Sequence, residues 1–129
     1  MPGLSRQLAI KPQIRCKGRP CRQQRNVGFF SDVCKGFRYS GIMMPSIPPS
    51  EGITTLIKVM NDAAGAHWNS VLVNEYPDGD HYISDHSDNE NGLCPFGGVG
   101  TISCGAIRKM IIKDKLTKAR IERRCFLRM

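Results

Sequence analysis

The triplet His86-Ser87-Asp88 sets an imidazole and a carboxylate two residues apart. In extended backbone, residues i and i+2 project to one side, so this pair can ligate adjacent corners of one ion. That is two thirds of the two-histidine, one-carboxylate face that holds non-heme Fe(II) and leaves positions open. By itself H-x-D is a weak signal, because solvated loops produce it too. The triplet lies within residues 73–92, which hold six of the eleven acidic residues and two of the three histidines of a chain with formal charge +8. Spacing excludes an EF-hand calcium loop, which needs Gly at position 6 and Glu at position 12. Counted from Asp85 those positions are Glu90 and Phe96; counted from Asp78, position 12 is Asn89.

The elements around this segment have to position it. Ser50-Glu51-Gly52 reads as a helix start, and Leu56, Ile57, Met60 and Ala64 recur on one helical face closed by Gly65. From Trp68 the period switches, and W-N-S-V-L-V-N-E-Y predicts a strand broken by Pro77-Asp78-Gly79. After the acidic loop, residues 100–114 read as strands around a glycine, D-K-L-T-K as a turn, and A-R-I-E-R-R-C as a return strand. Upstream, residues 26–41 read as short strands broken by glycine and residues 42–50 as a proline-rich connector. One helix among consecutive strands predicts a β-rich α+β fold with helical support on one face. The expected organisation is a basic N-terminal arm, 1–25, before a single domain over 26–129.

Charge is laid out unevenly. Residues 1–25 carry seven Lys/Arg and no acid, 108–129 carry nine Lys/Arg against two acids, and 26–107 hold three bases and nine acids. A negative centre between basic ends suits a polyanion held around a cation-binding pocket, and equally a chain whose basic ends keep it soluble. No apolar run approaches a membrane span, and the first residues lack a long apolar leader. The expectation is a soluble intracellular chain, cytoplasmic or nuclear. Cys16 and Cys21 are the only close cysteine pair and have no matching second pair, so zinc is disfavoured and buried reduced thiols are expected.

Taken in order, several stretches resemble the AlkB-like 2-oxoglutarate/Fe(II) dioxygenases. Asn74-Glu75-Tyr76, Pro77-Asp78-Gly79, Tyr82-Ile83 and His86-Ser87-Asp88-Asn89-Glu90 resemble the family signature N-x-Y…G…I…H-x-D-x-E. Arg22-Gln23-Gln24 and F-R-Y-S-G at 37–41 lie upstream, Trp68–Val73 resembles its approach strand, and Ile102–Met110 resembles its I-S-L-G-A-x-R-x-F strand. The resemblance runs from about Arg19 onward and is densest over 69–110.

The resemblance implies a double-stranded β-helix, jelly-roll-like, and a set of site residues. His86 and Asp88 would be iron ligands at the end of a strand, with Asp85 a less favoured alternative. Asn74 and Tyr76 would hydrogen-bond 2-oxoglutarate, Glu90 would lie near a flipped base, and Arg108 would contact phosphate or cosubstrate. It also implies oxidative demethylation of alkylated nucleic-acid bases, which requires the base to leave the stack. No histidine follows His86, and the family's late arginine strand has no match. The expectation is therefore a C-terminally incomplete roll, weak or inactive alone, with exposed edges that a partner chain would complete. A non-catalytic basic nucleic-acid-binding module, or the product of an interrupted reading frame, are the alternatives.

Overall fold

Ser50 and Gly65 bracket the helix through their backbone chemistry. In the computed structural model, which describes residues 3–88, 92–94 and 97–125, α1 spans Glu51–Ala64. The Ser50 hydroxyl accepts from the Ile53 amide, one of the first-turn donors a helix leaves unpaired. Gly65 adopts the left-handed conformation (φ 60°) and its amide donates to the Asn61 carbonyl. Ile53 is fully buried, with Leu56, Ile57 and Met60 half-buried along the same stripe. The expected face is thus shifted toward the first turns: Ala64 is exposed, because it is Ile53 and Ile57 that join the core.

Eight strands accompany the helix among the described residues. β1 (Gln13–Cys16) and β2 (Arg19–Arg22) form a hairpin whose turn residues Lys17 and Gly18 both have positive φ, as a two-residue primed turn requires. A Cys16–Cys21 disulfide spans it, with Cα atoms 6.1 Å apart. The stretch read as an extended arm therefore holds a hairpin, preceded by a single 3-10 turn over Ser5–Gln7. The thiol expectation is corrected as well: Cys16 and Cys21 are paired, and Cys34, Cys94 and Cys104 are exposed, not buried.

A four-stranded mixed sheet follows, in the order β4-β5-β3-β6. β3 (Asn26–Ser31) pairs along its whole length with β6 (Ser70–Glu75), antiparallel, from Asn26↔Glu75 to Ser31↔Ser70. On its other side β3 meets β5 (Ile42–Ile47) in a short parallel ladder, and β5 returns along β4 (Gly36–Tyr39). Residues 42–47 are thus a strand rather than a connector. The parallel ladder uses only Ser46 and Ile47, so the amide that Pro45 lacks costs nothing against β3.

Period-two alternation gives this sheet two faces. Phe30, Val71, Val73 and Ile47 pack with Leu8 and with Ile53 and Ile57 of α1, forming the core. Gly28 shares that face. A Cβ there would lie 2.7 Å from Leu8 Cδ2 and 3.0 Å from Phe30 Cε2, so any side chain would require the Leu8 side chain to shift. The opposite face carries Val27 and Phe29, the latter stacked on Phe37 with centroids 5.4 Å apart. By register Asn74 lies opposite Val27, on this second face.

The described residues from 99 onward form a separate unit. β7 (Arg108–Lys113) and β8 (Arg120–Cys125) pair antiparallel around a turn that Asp114 organises. Its carboxylate accepts from the Thr117 and Leu116 amides and the Thr117 hydroxyl, which holds it below its ordinary pKa. No strand lies between Glu75 and Arg108 among the described residues, so of the strands expected around Gly105 only the one after it is present, as β7. The fold class stands as expected, β-rich α+β and jelly-roll-like. No described helix is long and apolar enough to cross a membrane.

Two substitutions test this packing. Ile53→Ala removes a fully buried side chain from the helix–sheet contact and is expected to cost about 2–5 kcal/mol. Ser50→Ala removes only the cap and should cost about 1 kcal/mol. Urea denaturation of both measures the ratio, and equal losses would contradict the burial assigned to Ile53.

Candidate functional site

The residues expected to hold iron lie in a loop, not on a strand. Residues 76–88 contain no regular element, because charged and turn-forming residues find water a better partner than a sheet ladder. Even so, the His86 and Asp88 side chains approach: Nε2 lies 3.5 Å from Asp88 Oδ1. The other ring nitrogen, Nδ1, lies 2.8 Å from the Ser84 carbonyl oxygen. A carbonyl can only accept, so Nδ1 is the nitrogen that carries a proton in this contact, and Nε2 is the nitrogen left facing Asp88, the one a metal would use. Orientation of an imidazole by a carbonyl on its far nitrogen is how metal-binding histidines are commonly held. Among the described residues no group of three or more His, Cys, Asp or Glu side chains is placed to hold a metal ion.

Contacts from the N-terminal segment anchor the loop. Gln24 Oε1 accepts from the Tyr82 amide at 3.2 Å. His81 is mostly buried, with Nε2 3.2 Å from Lys11 Nζ and Nδ1 3.0 Å from Asp78 Oδ1. Asp78 Oδ1 also accepts from the Asp80 amide, which tightens the Pro77–Asp80 turn.

At the end of β6 the next two candidates diverge in setting. Asn74 is exposed, and its Oδ1 accepts from Arg25 Nε at 2.7 Å. Tyr76 is half-buried just beyond the strand and engaged with a neighbour. Between them, Glu75 turns to the helix face and accepts from the Ser5 hydroxyl (2.6 Å) and from Asn26 Nδ2 (2.8 Å). Glu90 lies outside the described residues. Arg108, half-buried, opens β7 in the second unit, where it pairs in register with Cys125.

Arg25 carries the least expected feature. It is 5% exposed, with its guanidinium carbon 5.3 Å from the centroid of the Tyr39 ring. Withdrawing a cation from water costs several kcal/mol. One hydrogen bond to a charged group returns roughly 1.5–3 kcal/mol, and a cation–π contact roughly 0.5–2 kcal/mol. Together they about match that cost, and no carboxylate among the described residues neutralises the charge. A net positive potential therefore remains behind Asn74.

Comparison with known proteins bears on the family. No protein-family model matches the chain. Among curated proteins, DNA oxidative demethylase ALKBH2 of Arabidopsis thaliana is 30% identical over 112 residues, covering 81% of this chain and 35% of the relative. The Mus musculus protein of the same name is 29% identical over 103 residues, 78% of this chain and 42% of the relative. The Homo sapiens one is 30% identical over 94 residues, 70% of this chain and 35% of the relative. The chain belongs to the AlkB-like family. It spans about a third to two fifths of the length of these relatives.

In this AlkB-like chain, what the sequence left unseen are the supports. Arg25 appeared only as one of seven N-terminal bases. Its burial follows from pairing across β3–β6 that no local pattern reveals. Gln23, equally hidden at 4% exposure, has neither amide atom hydrogen-bonded among the described residues. A signal did exist for Glu75: a carboxylate inside the strand run V-L-V-N-E-Y asks for a partner on the neighbouring strand, and Asn26 is that partner.

The Ser5 hydroxyl and then the Asn26 amide hold the Glu75 carboxyl below its ordinary pKa, against a smaller opposing effect of burial. A depressed folded value means the contribution is full above the unfolded pKa and is lost as pH falls through the folded one. Ser5→Ala should therefore destabilise by about 0.5 kcal/mol at pH 7, and the gap to the parent should close on acidification. Urea melts at pH 7 and pH 3 check this, and a gap that widens in acid would contradict it.

Proposed function

We propose that this chain carries the metal-binding loop and the cosubstrate strand of an AlkB-like oxidative demethylase acting on alkylated bases in nucleic acid. The observation that carries it is the approach of the His86 and Asp88 side chains, with the ring oriented by the contact of Nδ1 with the Ser84 carbonyl. Its donors fit Fe(II). Adjacent corners of an octahedron at metal–ligand distances near 2.1 Å lie about 3 Å apart, close to the 3.5 Å between these two atoms.

Bound there, Fe(II) would supply the oxidising chemistry that uses oxygen and 2-oxoglutarate to convert a base-borne methyl group, which then leaves as formaldehyde. The chain's own residues have simpler tasks. His86 and Asp88 hold the ion, and Asn74 and Tyr76 donate hydrogen bonds to the cosubstrate. Glu90 contacts a flipped base and Arg108 a phosphate. DNA is the favoured polymer, because the relatives are DNA oxidative demethylases by name; a nuclear or cytoplasmic location goes with that substrate.

The test is metal titration of the purified chain, followed by the perturbed signal of Mn(II) standing in for Fe(II). His86→Ala and Asp88→Ala should each weaken binding at least tenfold, since each removes half of the protein ligands gathered here. Unchanged affinity in both would sink the assignment.

A second reading rests on the exposed bases of the β1–β2 hairpin: Arg15, Lys17, Arg19 and Arg22 all face water. Such a ridge suits phosphate contacts that hold nucleic acid without reading its sequence. Duplex DNA affinity should then fall by an order of magnitude or more between 50 and 200 mM salt for about three or more such contacts, with or without metal. A salt-independent affinity would count against it.

A further inference from the structure

We propose that Arg25 is a positioning residue, locking the Asn74 amide with its nitrogen outward so that the end of β6 selects a carboxylate oxygen. This rests on the reading above that Asn74 meets the cosubstrate.

An asparagine amide is ambivalent: one end accepts and the other donates, and only its partners decide which way it faces. Guanidinium nitrogens donate and never accept. The 2.7 Å contact from Arg25 Nε can therefore engage only Asn74 Oδ1. Arg25 has little freedom to release it. It is 5% exposed and packed over the Tyr39 ring, so the orientation is held from behind as well.

Asn74 itself is exposed, and among the described residues its Nδ2 has no acceptor. A ligand arriving there meets two N–H donors backed by a guanidinium that no carboxylate neutralises. That combination favours an anionic oxygen over a neutral carbonyl and disfavours any donor. A locked amide also needs no reorganisation when the ligand binds, which preserves affinity. The chemical class it fits is a small carboxylic acid, here the carboxylate end of 2-oxoglutarate.

Titration of the metal-free chain with 2-oxoglutarate and with its neutral dimethyl ester reads this directly. The parent should prefer the acid by about tenfold or more, the scale of one charge-assisted hydrogen bond. Arg25→Met should bring that preference to within about twofold, and Arg25→Lys should restore part of it. Asn74→Asp is the variant that keeps the fold, because a carboxylate still accepts from Arg25 while the outward donor is gone. It should lose acid binding at least tenfold with an unchanged melting temperature. The side-chain amide of Asn74 gives a second readout: its NMR signals should shift on adding the acid in the parent and not in Arg25→Met.

Different failures separate the two ideas. If Asn74→Ala loses the preference while Arg25→Met keeps it, Asn74 binds cosubstrate without help and the positioning role is overturned. If Asn74→Asp binds the acid as the parent does, donor polarity is irrelevant and the inference falls. If the parent shows no preference, or Asn74→Ala retains it, the cosubstrate reading of Asn74 falls and takes the inference with it.

Discussion

The six-residue antiparallel pairing of β3 with β6 is the constraint on which the first unit depends. It sets Phe30 beside Val71 on one face and Val27 beside Asn74 on the other. A slip of one residue would exchange the faces, exposing the core set and burying Asn74 and Leu72 against the helix. Because β3 is buried at five of its six positions, such a slip is strongly opposed. Placement of the candidate cosubstrate residues is thus a by-product of hydrophobic register, set by residues with no chemistry of their own.

The same pairing divides labour between the faces. The helix side is apolar in its middle and polar only at its edge, where Ser5, Asn26 and Glu75 form a small hydrogen-bonded cluster. The far side gathers aromatic rings and one buried cation: Phe29 on Phe37, and Arg25 over Tyr39. Apolar burial stabilises one side, while the other spends some of that stability holding a guanidinium away from bulk water. The acidic loop is tethered beyond the sheet through Gln24, Lys11 and its own turn, so the His86–Asp88 pair relies on local hydrogen bonds and not on a ladder.

Sequence made some of this legible and concealed the rest for physical reasons. Helix α1 was readable because its cap, its period and its terminating glycine are all local. β6 was readable from its β-branched run. β5 was hidden by Pro45 and by the two prolines that follow it, since the pairing that tolerates Pro45 depends on where a distant strand lies. The H-x-D triplet suggested a ligand pair, yet the proximity of its side chains comes from a loop bond to Ser84 and not from strand alternation. Arg25, Gln23 and the partners of His81 are tertiary facts: each needs two segments tens of residues apart to meet, and a charge count cannot show that.

Gly28 has a further consequence. Leu8 and the Phe30 ring fill the volume that any side chain at position 28 would need. A larger residue there requires Leu8, far upstream, to move or to shrink in compensation. Across diverging versions of this fold the two positions should therefore drift together or not at all, so that a stretch resembling a dispensable basic arm inherits the evolutionary rate of the central strand.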